Sequence, residues 1–259
     1  MCKKINKVNY RYFIELSYRG TNYHGWQIQE NAHSVQAELN SSLATLLKED
    51  ISTLGAGRTD TGVHAKYFVA HFDSIRSDLS SNPSFLYHLN QILPLDISIK
   101  SIRSVKPEAH ARFDATSRTY HYFICRDKDP FWRELAWMFF GSLDIDLMQQ
   151  ASRHLFNYTD FTSFSKVGSD NKTSDCKIYS ANWEEKDNLL VFSITADRFL
   201  RNMVRAIVGT MVDVGRKKIT VERFSEIIAA KDRSLAGSSA PAEGLYLTGI
   251  EYPKEIFLI

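Results

Sequence analysis

The arrangement of apolar residues along the first hundred positions restricts the fold more than anything else in this chain. Tyr12, Ile14, Leu16 and Tyr18 alternate as in a strand with one buried face, and Val35, Leu39, Leu43, Leu46 and Leu47 then recur at helical spacing. A short strand is expected near Ile51 to Leu54 and a β-rich stretch over Tyr67 to Phe72. Pro83 opens a helix carrying Leu86, Leu89 and Leu93, and Ile97 to Val105 closes the series as a strand. The order is β-α-β-β-α-β.

The second half repeats that order with little textual identity. Strands are expected around Thr119 to Cys125, Lys177 to Trp183, Leu189 to Thr195 and Leu245 to Tyr252. Helices are expected over Asp144 to Phe156 and Phe199 to Val214, with an added helix at Val221 to Ala230. Two α+β units of the ferredoxin-like (RRM-like) split type account for both halves. The expected domains are 1–107 and 108–259, joined around a central mixed or antiparallel sheet with an active-site cleft between them. Pro107 to Phe113 is the crossover, and Ser163 to Ser174, rich in Ser, Lys, Gly, Asn and Thr, is the long mobile loop.

Composition sets outer limits. A folded chain of 259 residues buries roughly 70 to 75 per cent of its unfolded surface, so a large core is available. With 44% hydrophobic and 24% charged residues and no apolar run near the ~20 residues of a membrane span, the chain reads as a soluble, cytoplasmic protein. The basic start, Met1 to Lys7, lacks the apolar core of a signal peptide. Cys2, Cys125 and Cys176 are dispersed and unaccompanied by histidine clusters, which indicates neither a disulfide framework nor a metal site. A net charge of +2 does not by itself predict nucleic-acid binding, so a basic binding surface has to come from local concentration.

The chemistry concentrates in Gly55-Ala56-Gly57-Arg58-Thr59-Asp60-Thr61-Gly62-Val63-His64-Ala65. Glycines permit sharp bends and close approach of another molecule to the main chain. A carboxylate with an ordinary pKa near 3.9, lowered further by a neighbouring guanidinium, is ionised at neutral pH and able to act as nucleophile or base. The same aspartate could instead initiate a turn or cap a helix. A phosphate-binding Gly-Lys-Ser/Thr loop is absent, and Asp60 stands where a dinucleotide fingerprint needs its third glycine.

This string closely resembles the signature of the TruA family of tRNA pseudouridine synthases, in which the aspartate is catalytic. Thr61 departs from the family's alanine at that position. Further blocks are similar: Tyr18 to Gln29, Arg112 to Tyr122, Phe199 to Gly209 and Ala240 to Leu247, so the resemblance spans nearly the whole chain. It implies a homodimer of paired α/β domains that isomerises uridine to pseudouridine in the tRNA anticodon stem-loop (positions 38–40). No redox change or phosphate transfer occurs, so no cofactor and no metal are expected. The family's tyrosine against the target base falls on Tyr120, and its arginine paired with the catalytic aspartate falls on Arg205. Arg58 is implied to touch the RNA and help displace the target nucleotide.

Each role has a plainer counterpart. Tyr120 and Tyr122 could simply be core residues on one strand face, and Arg58 could brace the loop backbone. Arg198, Arg201 and Arg205 recur at spacings of three and four, which predicts a shared helix face with Phe199, Met203, Ile207 and Met211 as its apolar stripe. Arg198 and Arg201 could be solvated there or, with Arg216, Lys217 and Lys218, contact phosphates; Arg201 is the substrate-binding candidate. His64 is read as structural. The alternative from another class is a noncatalytic RNA-binding protein of two RRM-like units, for which the full RNP1 pattern is missing.

Overall fold

The computed structural model describes residues 9–168 and 172–258. Cys2, the basic start and residues 169–171 of the expected loop lie outside the described residues. By internal packing the chain divides into two units. One comprises the described residues of Met1–Thr61, Ala65–Thr116 and Ile250–Ile259, the other Gly62–His64 and Ser117–Gly249.

In the first unit the elements run β1 (Tyr10–Tyr18), α1 (Val35–Leu47), β2 (Leu54–Gly55), β3 (His64–Ser74), α2 (Pro83–Ile92) and β4 (Ile97–Val105). The antiparallel strand order is β4-β1-β3, with β2 paired to β3. Both helices begin at side-chain caps that take up an otherwise unpartnered amide: Ser34 accepts from the Ala37 N–H, and Asn82 from the Phe85 N–H. Tyr12, Ile14 and Leu16 are fully buried with Val35, Leu39 and Leu43, as the alternation and stripe require. Phe13, on the opposite face of β1, is buried too, because the chain's end covers it with Tyr252 and Phe257.

The strand expected over Ile51 to Leu54 shrinks to Leu54–Gly55. The reason is that α1 claims the preceding backbone. The Asn40 side chain accepts from the Thr53 N–H and hydroxyl, and the Gln36 amide donates to the Thr53 carbonyl at 2.6 Å. Thr53 therefore has no backbone group left for a ladder.

The second unit runs β5 (Ser117–Cys125), β6 (Trp137–Met138), α3 (Ile145–His154), β7 (Ile178–Lys186), β8 (Leu189–Ala196), α4 (Met203–Gly215), α5 (Val221–Ala230) and β9 (Leu245–Glu251). Its strand order is β9-β5-β8-β7, and β6 adds a short parallel pairing to β5. The described chain is thus a mixed α+β protein with mostly antiparallel pairing. Its largest core cluster gathers Tyr122, Phe161, Phe164, Phe192, Met211 and Phe224.

Two expectations fail in this unit. The helix expected from Phe199 starts at Met203, because Asn202 adopts a left-handed backbone (φ +67°) and its side chain donates to the Ser239 hydroxyl. Arg198 and Arg201 therefore precede α4 and share no helix face with Arg205. The loop expected from Ser163 starts later as well. Ser163 and Phe164 form a single 3-10 turn in the core, with the Ser163 hydroxyl donating to the Ile227 carbonyl and Phe164 stacked on Phe224. Cys125 and Cys176 are buried free thiols, and burial pushes the Cys176 thiol up to about 12. No helix among the described residues is long and apolar enough to cross a membrane.

Candidate active site

In the first unit the loop bearing Asp60 is held from beneath by aromatic residues. Trp26 stacks on Phe68 at 4.2 Å between ring centres, and Tyr18 meets the Phe68 ring edge-on. Gly55 lies flat on this layer, since a Cβ there would come within 2.5 Å of Trp26 Nε1. The Ala56 N–H then bonds the Val69 carbonyl at 2.8 Å, fixing where the loop leaves β2.

Three contacts fix the residue before Asp60. The Tyr18 and Thr59 hydroxyls share a buried hydrogen bond of 2.9 Å, the Trp26 N–H donates to the Thr59 carbonyl, and Gly25 packs against the Thr59–Asp60 peptide. At Gly25, φ is +88° and a Cβ would stand 2.2 Å from the Thr59 oxygen, so this position admits only glycine. Asp60 itself is partly exposed and Arg58 is exposed. A carboxylate on a braced peptide, open to solvent on one side, suits chemistry on an incoming molecule better than a packing role.

Past Asp60 the chain turns through Gly62, whose φ is +79°, into the second unit. There Val63 enters the main core cluster, and the His64 ring lies 4.6 Å from that of Tyr246 in a nearly closed environment, in line with a structural histidine.

Elsewhere in the second unit, Tyr120 sits on β5 opposite Ile194 of β8, with its ring edge-on to Phe199 at 5.1 Å. It is half-buried, unlike Tyr122 two residues on, which is closed off and donates its hydroxyl to the Pro241 carbonyl. Burial pushes the Tyr122 phenol well above its ordinary range. Arg205 lies in the first turn of α4, and its Nε donates to the Ala240 carbonyl at 2.7 Å. The 236–241 segment runs close along this helix: a Cβ at Gly209 would stand 1.8 Å from the Ser238 oxygen.

Of the residues expected to act, Asp60 and Arg58 thus belong to the first unit, and Tyr120, Arg201 and Arg205 to the second. Arg201 is exposed, and its carbonyl accepts from the Lys166 N–H. Arg198 reaches the Thr173 hydroxyl at 3.2 Å. Lys217 and Lys218 are paired with Asp144 and Asp213, and the Arg216 guanidinium lies 5.8 Å from the centre of the Phe139 ring. Sequence reasoning gave no role to Tyr18, Gly25 and Trp26. Their signal was present, since all three lie in the first block that resembles the family.

Residues 151–253 match the family described as tRNA pseudouridine synthase. The chain is 54% identical over 250 residues to tRNA pseudouridine synthase A of Bacteroides thetaiotaomicron, covering 95% of this chain and 92% of that protein. It is 52% identical to the Bacteroides fragilis protein of the same name, covering 95% and 98%. To the protein of that name from Aliivibrio salmonicida it is 38% identical, covering 93% and 92%. The chain belongs to the tRNA pseudouridine synthase A family.

Proposed function

We propose that the protein isomerises uridine to pseudouridine in the anticodon stem-loop of tRNA, with Asp60 as the catalytic carboxylate. The observation that carries this reading is the Asp60 loop, a signature of the family, with its Thr59–Asp60 peptide braced by Gly25, Trp26 and Tyr18 while the carboxylate keeps access to solvent.

In the reaction the bond from N1 of the base to C1′ of the ribose breaks, the uracil turns, and C5 bonds to C1′. C5 loses its proton and N1 gains one, so atoms and charge balance without an oxidant or a transferred phosphate. Asp60 initiates the cleavage. Tyr120, half-buried and edge-on to Phe199, holds the extruded base; stacking of this kind supplies roughly 1 to 3 kcal/mol against the few needed to unstack it. The family's arginine role toward the catalytic carboxylate falls on Arg205, and a planar guanidinium that keeps its charge is well suited to it. Arg58 assists extrusion and Arg201 contacts the RNA.

The strand orders β4-β1-β3 with β2, and β9-β5-β8-β7, each with a helix after the first and third strand of its order in the chain, β6 aside, support two ferredoxin-like domains, with the division by packing at Thr116 rather than at residue 107. The working form in this reading is a cytoplasmic homodimer.

The test is tritium release from tRNA carrying C5-labelled uridine, comparing wild type with Asp60→Asn. Release by wild type alone, with tRNA affinity retained in the variant, is the expected outcome. Ordinary turnover by Asp60→Asn removes Asp60 from the reaction. No release from either protein, despite tight binding of unmodified tRNA, points to a noncatalytic RNA-binding protein.

A further inference from the structure

The first unit contains a cavity of about 240 Å³ whose lining includes Trp26, Leu54, Arg58, His110, Arg112 and Phe113. We propose that this cavity is a subsite for a single-stranded nucleotide flanking the reacting uridine, its base stacked on Phe113 and its phosphate held by Arg58 and Arg112. The inference rests on the reading of the protein as a tRNA-modifying enzyme and adds a second recognition point within two residues of Asp60.

Phe113 is 74% exposed, yet it is not loosely held. His110 Nδ1 accepts from the backbone N–H groups of both Arg112 and Phe113, at 3.1 and 3.4 Å. The Asp114 carboxylate accepts from the His110 N–H, and the His110 carbonyl accepts from the Asp114 N–H, which closes the turn. The His110 ring lies 4.3 Å from the Phe113 ring and is backed in turn by the buried ring of His71 at 4.6 Å. The turn therefore presents an outward aromatic face backed by a tilted ring and, behind it, an edge-on one, and a base that lands there orders little that is not already ordered.

Charge and size fix the class of occupant. Arg58 and Arg112 are both exposed, and no carboxylate is among the residues lining the cavity. Two guanidiniums beside an aromatic face suit a phosphate joined to a base, and the volume suits one nucleotide rather than a helical stem. The Gln36 amide, which also reaches the cavity, is spent on the Thr53 carbonyl and the Ile28 N–H. Recognition is consequently led by ring stacking and charge, with Gln27 as the remaining side-chain amide at the cavity.

The experiment uses full-length protein and unmodified tRNA carrying 2-aminopurine at positions adjoining the target uridine, with Phe113→Ala and Phe113→Trp alongside wild type. Wild type and Phe113→Trp should quench the fluorophore at one adjoining position. Phe113→Ala should lose the quench and bind about 5- to 150-fold more weakly, with an unchanged melting temperature. Unaltered affinity and quenching in Phe113→Ala, in the presence of an active wild type, overturns the subsite alone. So does a change in oligomeric state caused by Phe113→Ala, which would make the face an interface between copies. If wild type neither binds tRNA nor releases tritium, the proposed function falls and the subsite with it.

Discussion

Arg205 and Ala240 are joined twice. The guanidinium Nε of Arg205 donates to the Ala240 carbonyl at 2.7 Å, and the Arg205 carbonyl accepts from the Ala240 N–H at 2.9 Å. The side chain thereby fixes the backbone at Ala240. Arg205→Lys preserves the charge but not the planar fork, so it should cost on the order of 1 to 2 kcal/mol and lower kcat more than tRNA affinity. Thermal unfolding and tritium release measure the two effects. Wild-type values in both would show that the bridge to Ala240 contributes nothing.

Gly25→Ala should displace the Asp60 loop. Its Cβ would stand 2.2 Å from the Thr59 oxygen at a left-handed backbone position, where strain and clash together cost about 2 kcal/mol or more. Gly57→Ala is the control: nothing lies within 4 Å of its Cβ, and its φ is not left-handed. It should leave stability unchanged or raise it by a few tenths of a kcal/mol. Urea unfolding of both variants decides the matter, and equal losses would refute the contrast.

Removal of the Tyr18 hydroxyl deprives the buried Thr59 side chain of its 2.9 Å partner. Tyr18→Phe should destabilise by about 1 to 3 kcal/mol and slow turnover, with tRNA affinity retained, since Thr59 adjoins Asp60. A double-mutant cycle with Thr59→Val should give a combined loss smaller than the sum of the single ones. Additivity would mean that the two hydroxyls do not act as a pair.

Acid should weaken the first unit through His71. Burial, and after it the neighbouring His110 and Arg11, lower its pKa from 6.5 to about 4, so the fold favours the neutral ring, whose Nδ1 accepts from the Ala111 N–H. That preference stabilises fully above about pH 6.5 and is lost as pH falls toward 4, a change on the order of 3 kcal/mol. Urea midpoints between pH 7 and pH 4 should drop for wild type and less steeply for His71→Gln. Parallel curves would assign the acid sensitivity to other groups.

Much of the local structure was legible because it is governed by short-range periodicity and capping. The helix from Val35 to Leu47 and the strand from Ile97 to Val105 follow directly from the spacing of their apolar residues, and Pro83 marks the start of its helix. What failed locally did so where hydrogen bonds to residues distant in sequence override the local pattern. Asn40 and Gln36 hold Thr53 away from any ladder, and Ser239 holds the left-handed Asn202 that delays the helix bearing Arg205.

The sequence by itself determined the residue types the chemistry needs, the element order, and the family to which the chain belongs, because these are carried by contiguous motifs. Only the tertiary structure decided what those motifs rest on. Gly25 and Tyr18 lie more than thirty positions before Asp60 and still brace its peptide, while Ala240 lies 35 positions beyond the arginine it fixes. Such contacts have no period and no neighbour in the chain. They arise when β1, β3 and α1 pack, and when the 236–241 segment closes on α4, so the order of residues alone does not contain them.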